Sequence, residues 1–183
     1  MQRSIQTGFI GAFILVALWT SPARGDETEM LAPGDPFPAF ELTANDGSVV
    51  RSADLAGTPY LLYFYPKADT PGCTREACEL RDSWAQVEGL GLKVFGVSYD
   101  TPDTNAKFAA KYHLPFLLLS DSDKSLAKQV GAARALLPLP KRISYLVGAD
   151  GTVLKAYPSV DPATHDDEVL ADFKSLTETS EEK

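Results

Sequence analysis

Four short runs of apolar, aromatic and β-branched residues, Tyr60 to Tyr65, Leu92 to Val97, Phe116 to Leu119 and Ile143 to Val147, recur along the chain with helical patterns between them. Unbroken runs of this length read as strands buried on both faces. Strands that alternate with helices fold as an α/β domain, because the connecting helices cover the faces of the sheet. The helical patterns run from Cys73 to about Val87, from Asp103 to Tyr112 and from Lys124 to Val130, with a last one near Glu168 to Leu176. Two turn signals add antiparallel hairpins. Asp46-Gly47 lies between Phe40-Glu41-Leu42 and Val49-Val50, and Asp150-Gly151 lies between Ile143 to Val147 and Val153 to Tyr157. The expected architecture is a central mixed β-sheet flanked by helices and opened by an N-terminal β-hairpin. With 183 residues, 44% of them hydrophobic, the chain can bury one good core and is short for two domains.

Residues 1–25 read as a signal peptide outside this fold. Arg3 supplies a positive start, Gly8 to Trp19 is an apolar stretch, and Ala23-Arg24-Gly25 places small residues where a signal peptidase cuts. The stretch falls short of the roughly 20 apolar residues of a spanning helix, so an uncleaved membrane anchor is the weaker alternative. One arginine precedes the apolar run, which is no twin-arginine signal, and no cysteine near the cut could carry a lipid. An exported, periplasmic protein with no stable membrane association after cleavage is expected. Residues 26–32 form a polar linker, 33–176 the domain, and 177–183 a charged, flexible tail. The net charge of -8 speaks against a nucleic-acid partner, since phosphates attract Lys and Arg and repel an acidic surface.

Both cysteines, Cys73 and Cys78, fall in "YPKADTPGCTREACELRD", residues 65–82. A buried strand ends at Tyr65 and Pro66 stops it. Thr70-Pro71 then opens a helix, with a capping hydroxyl followed by proline at the first helical position. Cys73 falls in the first turn, where unpaired backbone N–H groups and the positive end of the helix dipole favour thiolate over thiol. The two histidines, His113 and His165, lie outside this segment and read as ordinary surface or helix-end residues. Two cysteines and two scattered histidines make no metal-binding spacing, and no cofactor is implied. An even cysteine count in an exported protein usually means a structural disulfide. Helix geometry opposes that here. Residues five apart have Cα atoms roughly 8 to 9 Å from each other, beyond disulfide reach while the helix is intact. A loop this small would also restrain the unfolded chain little. A bond made and broken during turnover could use such a switch, and the spacing is not the CxxC of a disulfide oxidoreductase.

Pro66, Thr70 and Cys73 match the PxxxTxxC signature of peroxiredoxins. "FYPKADTPGCTREACELRD" resembles in detail the active-site segment of the peroxiredoxin Q type, also called bacterioferritin comigratory protein. "FGVSYDTPDTNAKFAAKYHLPFLLLSDSDKSLAKQVGA" and "KRISYLVGADGTVLKAY" resemble the next two blocks of that family, so the likeness runs from about Pro33 to Tyr157. The resemblance implies a thioredoxin-like fold, usually monomeric, and a thiol-dependent peroxidase acting on hydrogen peroxide and organic hydroperoxides. It makes Cys73 the peroxidatic cysteine, which becomes a sulfenic acid, and Cys78 the resolving cysteine, which closes an intramolecular disulfide. A thioredoxin-like reductant would recycle that bond. Thr70 would hold the sulfur and the peroxide with its hydroxyl, Arg142 would favour the thiolate and stabilise charge on the oxygens, and Pro66 would shield the sulfenic acid. Bland readings stand beside these: Pro66 could simply end a strand, Thr70 cap a helix, and Arg142 be a surface charge. Glu76 and Arg81 read equally as a pair along the helix or as solvated residues and are not counted in the site. The signal peptide, which many relatives lack, leaves the reductant open. Two rivals remain, a disulfide-exchange protein, which should carry CxxC and would not need Arg142, and a binding domain stapled by a structural disulfide.

Overall fold

The computed structural model describes residues 29–181, so the signal peptide expected over residues 1–25 lies outside the described residues. The strands are β1 (Glu41–Ala44), β2 (Val49–Arg51), β3 (Tyr60–Phe64), β4 (Lys93–Ser98), β5 (Leu117–Ser120), β6 (Ile143–Val147) and β7 (Val153–Tyr157). The helices are α1 (Pro71–Asp82), α2 (Trp84–Gly89), α3 (Pro102–Tyr112), α4 (Ser125–Gln129) and α5 (His165–Glu181). All seven strands share one sheet in the order β2-β1-β5-β4-β3-β6-β7. Its centre, β5-β4-β3, is parallel, while β1 joins β5 and β6 joins β3 antiparallel. The β1-β2 and β6-β7 hairpins close the two sides at the positions of the two Asp-Gly turns.

The central strand is buried along its whole length, as its unbroken apolar run requires. Period-two alternation divides its side chains between two cores. Leu61 and Tyr63 pack with Ala77 and Leu80 of α1, Phe108 of α3 and Phe173 of α5. Tyr60, Leu62 and Phe64 pack on the other face with Leu42, Leu126 and Tyr145. On α1 the buried positions are Cys73, Glu76, Ala77 and Leu80, one stripe at helical spacing. Because β3, β4 and β5 are parallel, the segments that follow them open on one edge of the sheet, the usual place for a site in such folds.

Two helices differ from the expectation. The helix expected from Cys73 to Val87 is broken after Asp82, where Ser83 leaves helical geometry and its hydroxyl donates to the Asp166 carboxylate at the start of α5. The last helix starts at His165 and runs through Thr177 to Glu181, so residues 177–181 are helical where a tail was expected.

Candidate active site

The β3-β6 register pairs Phe64 with Ile143, so one step further Arg142 stands beside Tyr65, at the strand end from which the chain turns into α1. Residues 69 positions apart thereby meet. Arg142 Nη2 donates to Cys73 Sγ at 3.2 Å, and Nη1 donates to the Glu76 carboxylate. Cys73 is 1% exposed and Glu76 is fully buried. Burial pushes the Glu76 carboxyl up to about 7, against the pull of the Arg142 charge and hydrogen bond. The guanidinium is therefore shared between the sulfur and a carboxyl one helical turn further on. Gly72 makes room for it, since a Cβ there would sit 3.3 Å from Arg142 Nη2.

Tyr63 completes the surroundings of the sulfur. It is fully buried, and among the described residues neither its hydroxyl nor Glu76 Oε1 has a hydrogen-bond partner. Burial first, then the neighbouring Tyr65, Glu76 and Cys73, holds its phenol well above the usual range. Tyr65 Oη donates to Asn105 Oδ1 at 2.8 Å, which ties the end of β3 to α3.

Thr70 occupies the N-cap position, and its carbonyl accepts the Thr74 N–H at 2.8 Å. Its hydroxyl does not cap the helix as expected. It donates instead to the Lys67 carbonyl at 2.9 Å, closing the loop that precedes α1 and leaving the helix start without a side-chain cap. Pro66 is half-buried at the start of that loop. Cys78 lies half-buried on the same unbroken helix, and both cysteines are free thiols, as the Cα separation requires.

Glu76 and Arg81 do not pair and are not equivalent. Glu76 belongs to the site, and its signal was readable: it sits on the apolar stripe defined by Cys73, Ala77 and Leu80. Arg81 bonds to Asp82 and, through Nη1, to the Tyr112 carbonyl at 2.8 Å. His113 ends α3 in a left-handed conformation, a helix-end residue as expected. His165 is no surface residue. It is 1% exposed, its Nε2 lies 2.9 Å from the Ser144 hydroxyl, and burial lowers its pKa to about 4. Nothing in the sequence near His165 signals this, because its partner comes from β6. Among the described residues no group of three or more His, Cys, Asp or Glu could hold a metal.

A buried cysteine in the first turn of a helix, touched by an arginine from a neighbouring strand and followed by a second free thiol, defines a thiol redox protein on a thioredoxin-like sheet. The AhpC/TSA family model matches residues 33–156, and the chain belongs to that family. It is 40% identical over 146 residues to peroxiredoxin Bcp of Escherichia coli, covering 76% of this chain and 94% of that protein. The crystal structure of peroxidoxin BcpB from Mycobacterium tuberculosis superposes with a TM-score of 0.74 at 34% identity, over 80% of this chain and 98% of that one. The bacterioferritin comigratory protein of Xanthomonas campestris, whose alkyl peroxide reduction activity was studied through trapped intermediate and ligand complexes, superposes with a TM-score of 0.71. The identity there is 30%, with 80% of this chain and 96% of that one covered.

Proposed function

We propose that this thiol peroxidase runs its cycle through Cys73 and Cys78, with Arg142 as the group that organises the first step. The observation that carries the reading is the 3.2 Å hydrogen bond from Arg142 to the Cys73 sulfur. A fixed positive charge there stabilises the anionic nucleophile and, as the O–O bond breaks, the charge that moves onto the departing oxygen. The thiolate attacks the terminal oxygen of a hydroperoxide, a sulfur–oxygen bond forms, the O–O bond breaks, and the remaining oxygen leaves as water or an alcohol after taking a proton. Glu76 holds the other edge of the guanidinium and so fixes its aim. Thr70 keeps the preceding loop closed through Lys67, and Pro66 begins that loop. Cys78 sulfur then attacks the sulfenic acid, giving the disulfide and water, which requires the first turns of α1 to unwind. Two thiols of a thioredoxin-like reductant return the disulfide to two free cysteines. Hydrogen peroxide and organic hydroperoxides are the substrates of this reading, and the protein acts as a monomer.

The division of labour is tested by a peroxide pulse on reduced protein. Cys73→Ser should lose the first step, and Cys78→Ser should keep it and accumulate sulfenic acid. Hydrogen exchange should quicken across Cys73 to Leu80 in the oxidised protein. Equal loss of the first step in both variants, or unchanged protection of α1, would sink the assignment. For residues 1–25 the reading is an export signal, carried by Arg3, the apolar stretch and Ala23-Arg24-Gly25. Protein from its native host should then begin near Asp26 in a soluble exported fraction, and full-length protein held in membranes would refute this.

A further inference from the structure

The last two residues of α3 hold both ends of the segment that carries the thiols. Asp69, one residue before the helix cap, has a left-handed backbone with φ of 58°, a conformation that a non-glycine residue keeps only when its surroundings hold it. Its carboxylate accepts from Lys111 Nζ through both oxygens at 2.8 Å and from Tyr112 Oη at 2.7 Å. Lys111 Nζ also lies 5.1 Å from the centre of the Tyr112 ring, and that ring packs edge-on against Phe108 of the core. At the other end of α1, Arg81 Nη1 reaches the Tyr112 carbonyl. The loop between β3 and α1 is also tied down by the Ala68 N–H, which donates to Asp100 Oδ2 at 2.8 Å, and by Tyr65, whose N–H donates to the Val97 carbonyl at 3.0 Å and whose hydroxyl donates to Asn105.

We propose that Lys111 and Tyr112 form a clasp on Asp69 that sets how the Cys73 sulfenic acid divides between disulfide formation and over-oxidation. The proposal rests on the reading of Cys73 and Cys78 given above. For the disulfide to form, Cys73 must leave its buried place and the helix start must turn with it. Asp69 is where the chain swings from loop into helix, so this motion breaks the clasp. The Arg81 contact lies beyond Cys78 and beside buried Leu80, so it keeps the last turn of α1 in place and confines unwinding to the first turns. While the clasp is shut, the sulfenic acid stays beside Arg142. There a second hydroperoxide can oxidise it to sulfinic acid, with the peroxide reduced to water or an alcohol. When the clasp opens, Cys78 displaces the sulfenic oxygen as water and the disulfide forms. Lys111 and Tyr112 are thus positioning residues, acting through the loop and not on the reacting atoms.

The Asp69–Lys111 pair is solvent-accessible on both sides, with side chains 46% and 56% exposed. Exposed pairs of this kind shift an equilibrium by about two- to fivefold. The test uses the full protein with both cysteines, hydrogen peroxide as oxidant and dithiothreitol as reductant. Stopped-flow kinetics read the first step, and mass spectrometry reads the sulfinic fraction per turnover. Lys111→Met and Tyr112→Phe should leave the first step unchanged within error and lower the sulfinic fraction about two- to fivefold, and Lys111→Arg should restore it. An unchanged or raised sulfinic fraction in Lys111→Met and Tyr112→Phe overturns the clasp, as does a slowed first step. Cys78→Ser is the separate control. Its sulfinic fraction must rise, and if it does not, the roles of the two cysteines fail independently of the clasp.

Discussion

Replacing Arg142 by methionine removes a cation that serves two acceptors, and the two effects are separable by pH. In wild type the Glu76 carboxyl is pushed up to about 7 from an ordinary 4.5, with burial raising it and Arg142 pulling it down. Without Arg142 only the burial remains, so the carboxyl stays protonated further above pH 7. Below about pH 7 Glu76 is neutral in both proteins, and the loss of its partner costs little. Above it, wild type gains from ionising next to Arg142 and the variant does not. The stability difference then grows by about 1.4 kcal/mol per pH unit, reaching about 2 kcal/mol at pH 8.5, within the few kcal/mol expected for breaking a buried pair. The sign is fixed by proton binding. Folded Glu76 binds more protons than the unfolded chain between 4.5 and 7, so its contribution falls through that window in both proteins and goes on falling above 7 only in the variant. Urea unfolding of Cys73→Ser and of Cys73→Ser with Arg142→Met, at pH 6 and pH 8.5, isolates this effect from the thiol. In the protein with both cysteines, Arg142→Met should slow the peroxide step by about 10²- to 10³-fold, the usual cost of losing a donor to developing charge. A stability difference that is equal at the two pH values, or larger at pH 6, would refute the shared guanidinium.

Gly72→Ala places a methyl group 3.3 Å from Arg142 Nη2, so the guanidinium must shift by a few tenths of an ångström and its aim at the sulfur is disturbed. The peroxide step is expected to slow about tenfold with little change in Tm, and stopped-flow rates beside a thermal melt check both halves. His165, held at about 4 by burial, contributes stability that is present above pH 6.5 and is lost as pH falls from 6.5 towards 4, because the unfolded chain then binds the proton that the folded one refuses. His165→Gln should flatten that part of the stability curve by about 1.4 kcal/mol per pH unit, and an unchanged acid limb in urea melts would contradict the burial argument.

The central strands were legible because burial on both faces writes itself as unbroken apolar runs, and β3 and β6 fall within a residue of their expected places, while the edge strand β7, only partly buried, was located by the Asp150-Gly151 turn before it. Helix breaks were not, because the break after Asp82 depends on a carboxylate from residue 166, which no local pattern contains. The site divides along the same line. Cys73 could be placed in a first turn from Thr70-Pro71 alone, since proline at the first helical position is a local rule. The hydroxyl of Thr70 could not be aimed, because donating to the Lys67 carbonyl leaves its oxygen free to accept, and whether it also faces a helix N–H is set by the side-chain rotamer that the loop's own geometry selects.

Glu76 shows what such readings miss and how they could recover it. A charged residue on a helix is ordinarily solvated, and that prior hid it. Its register said otherwise, because a carboxylate on a stripe with Cys73, Ala77 and Leu80 must either break the core or bring a partner into it. The partner had to be a cation from outside α1, since Arg75 and Arg81 both lie off the buried stripe. Among strands bordering β3, β6 enters with Lys141-Arg142 at the edge where α1 begins. A buried acid on the cysteine's own helix face therefore predicts an arginine at the sulfur, and the same guanidinium satisfies both. The network of Cys73, Glu76 and Arg142 is thus one electrostatic unit, in which the guanidinium proposed to organise the peroxide step is also the one that favours ionisation of the buried carboxyl.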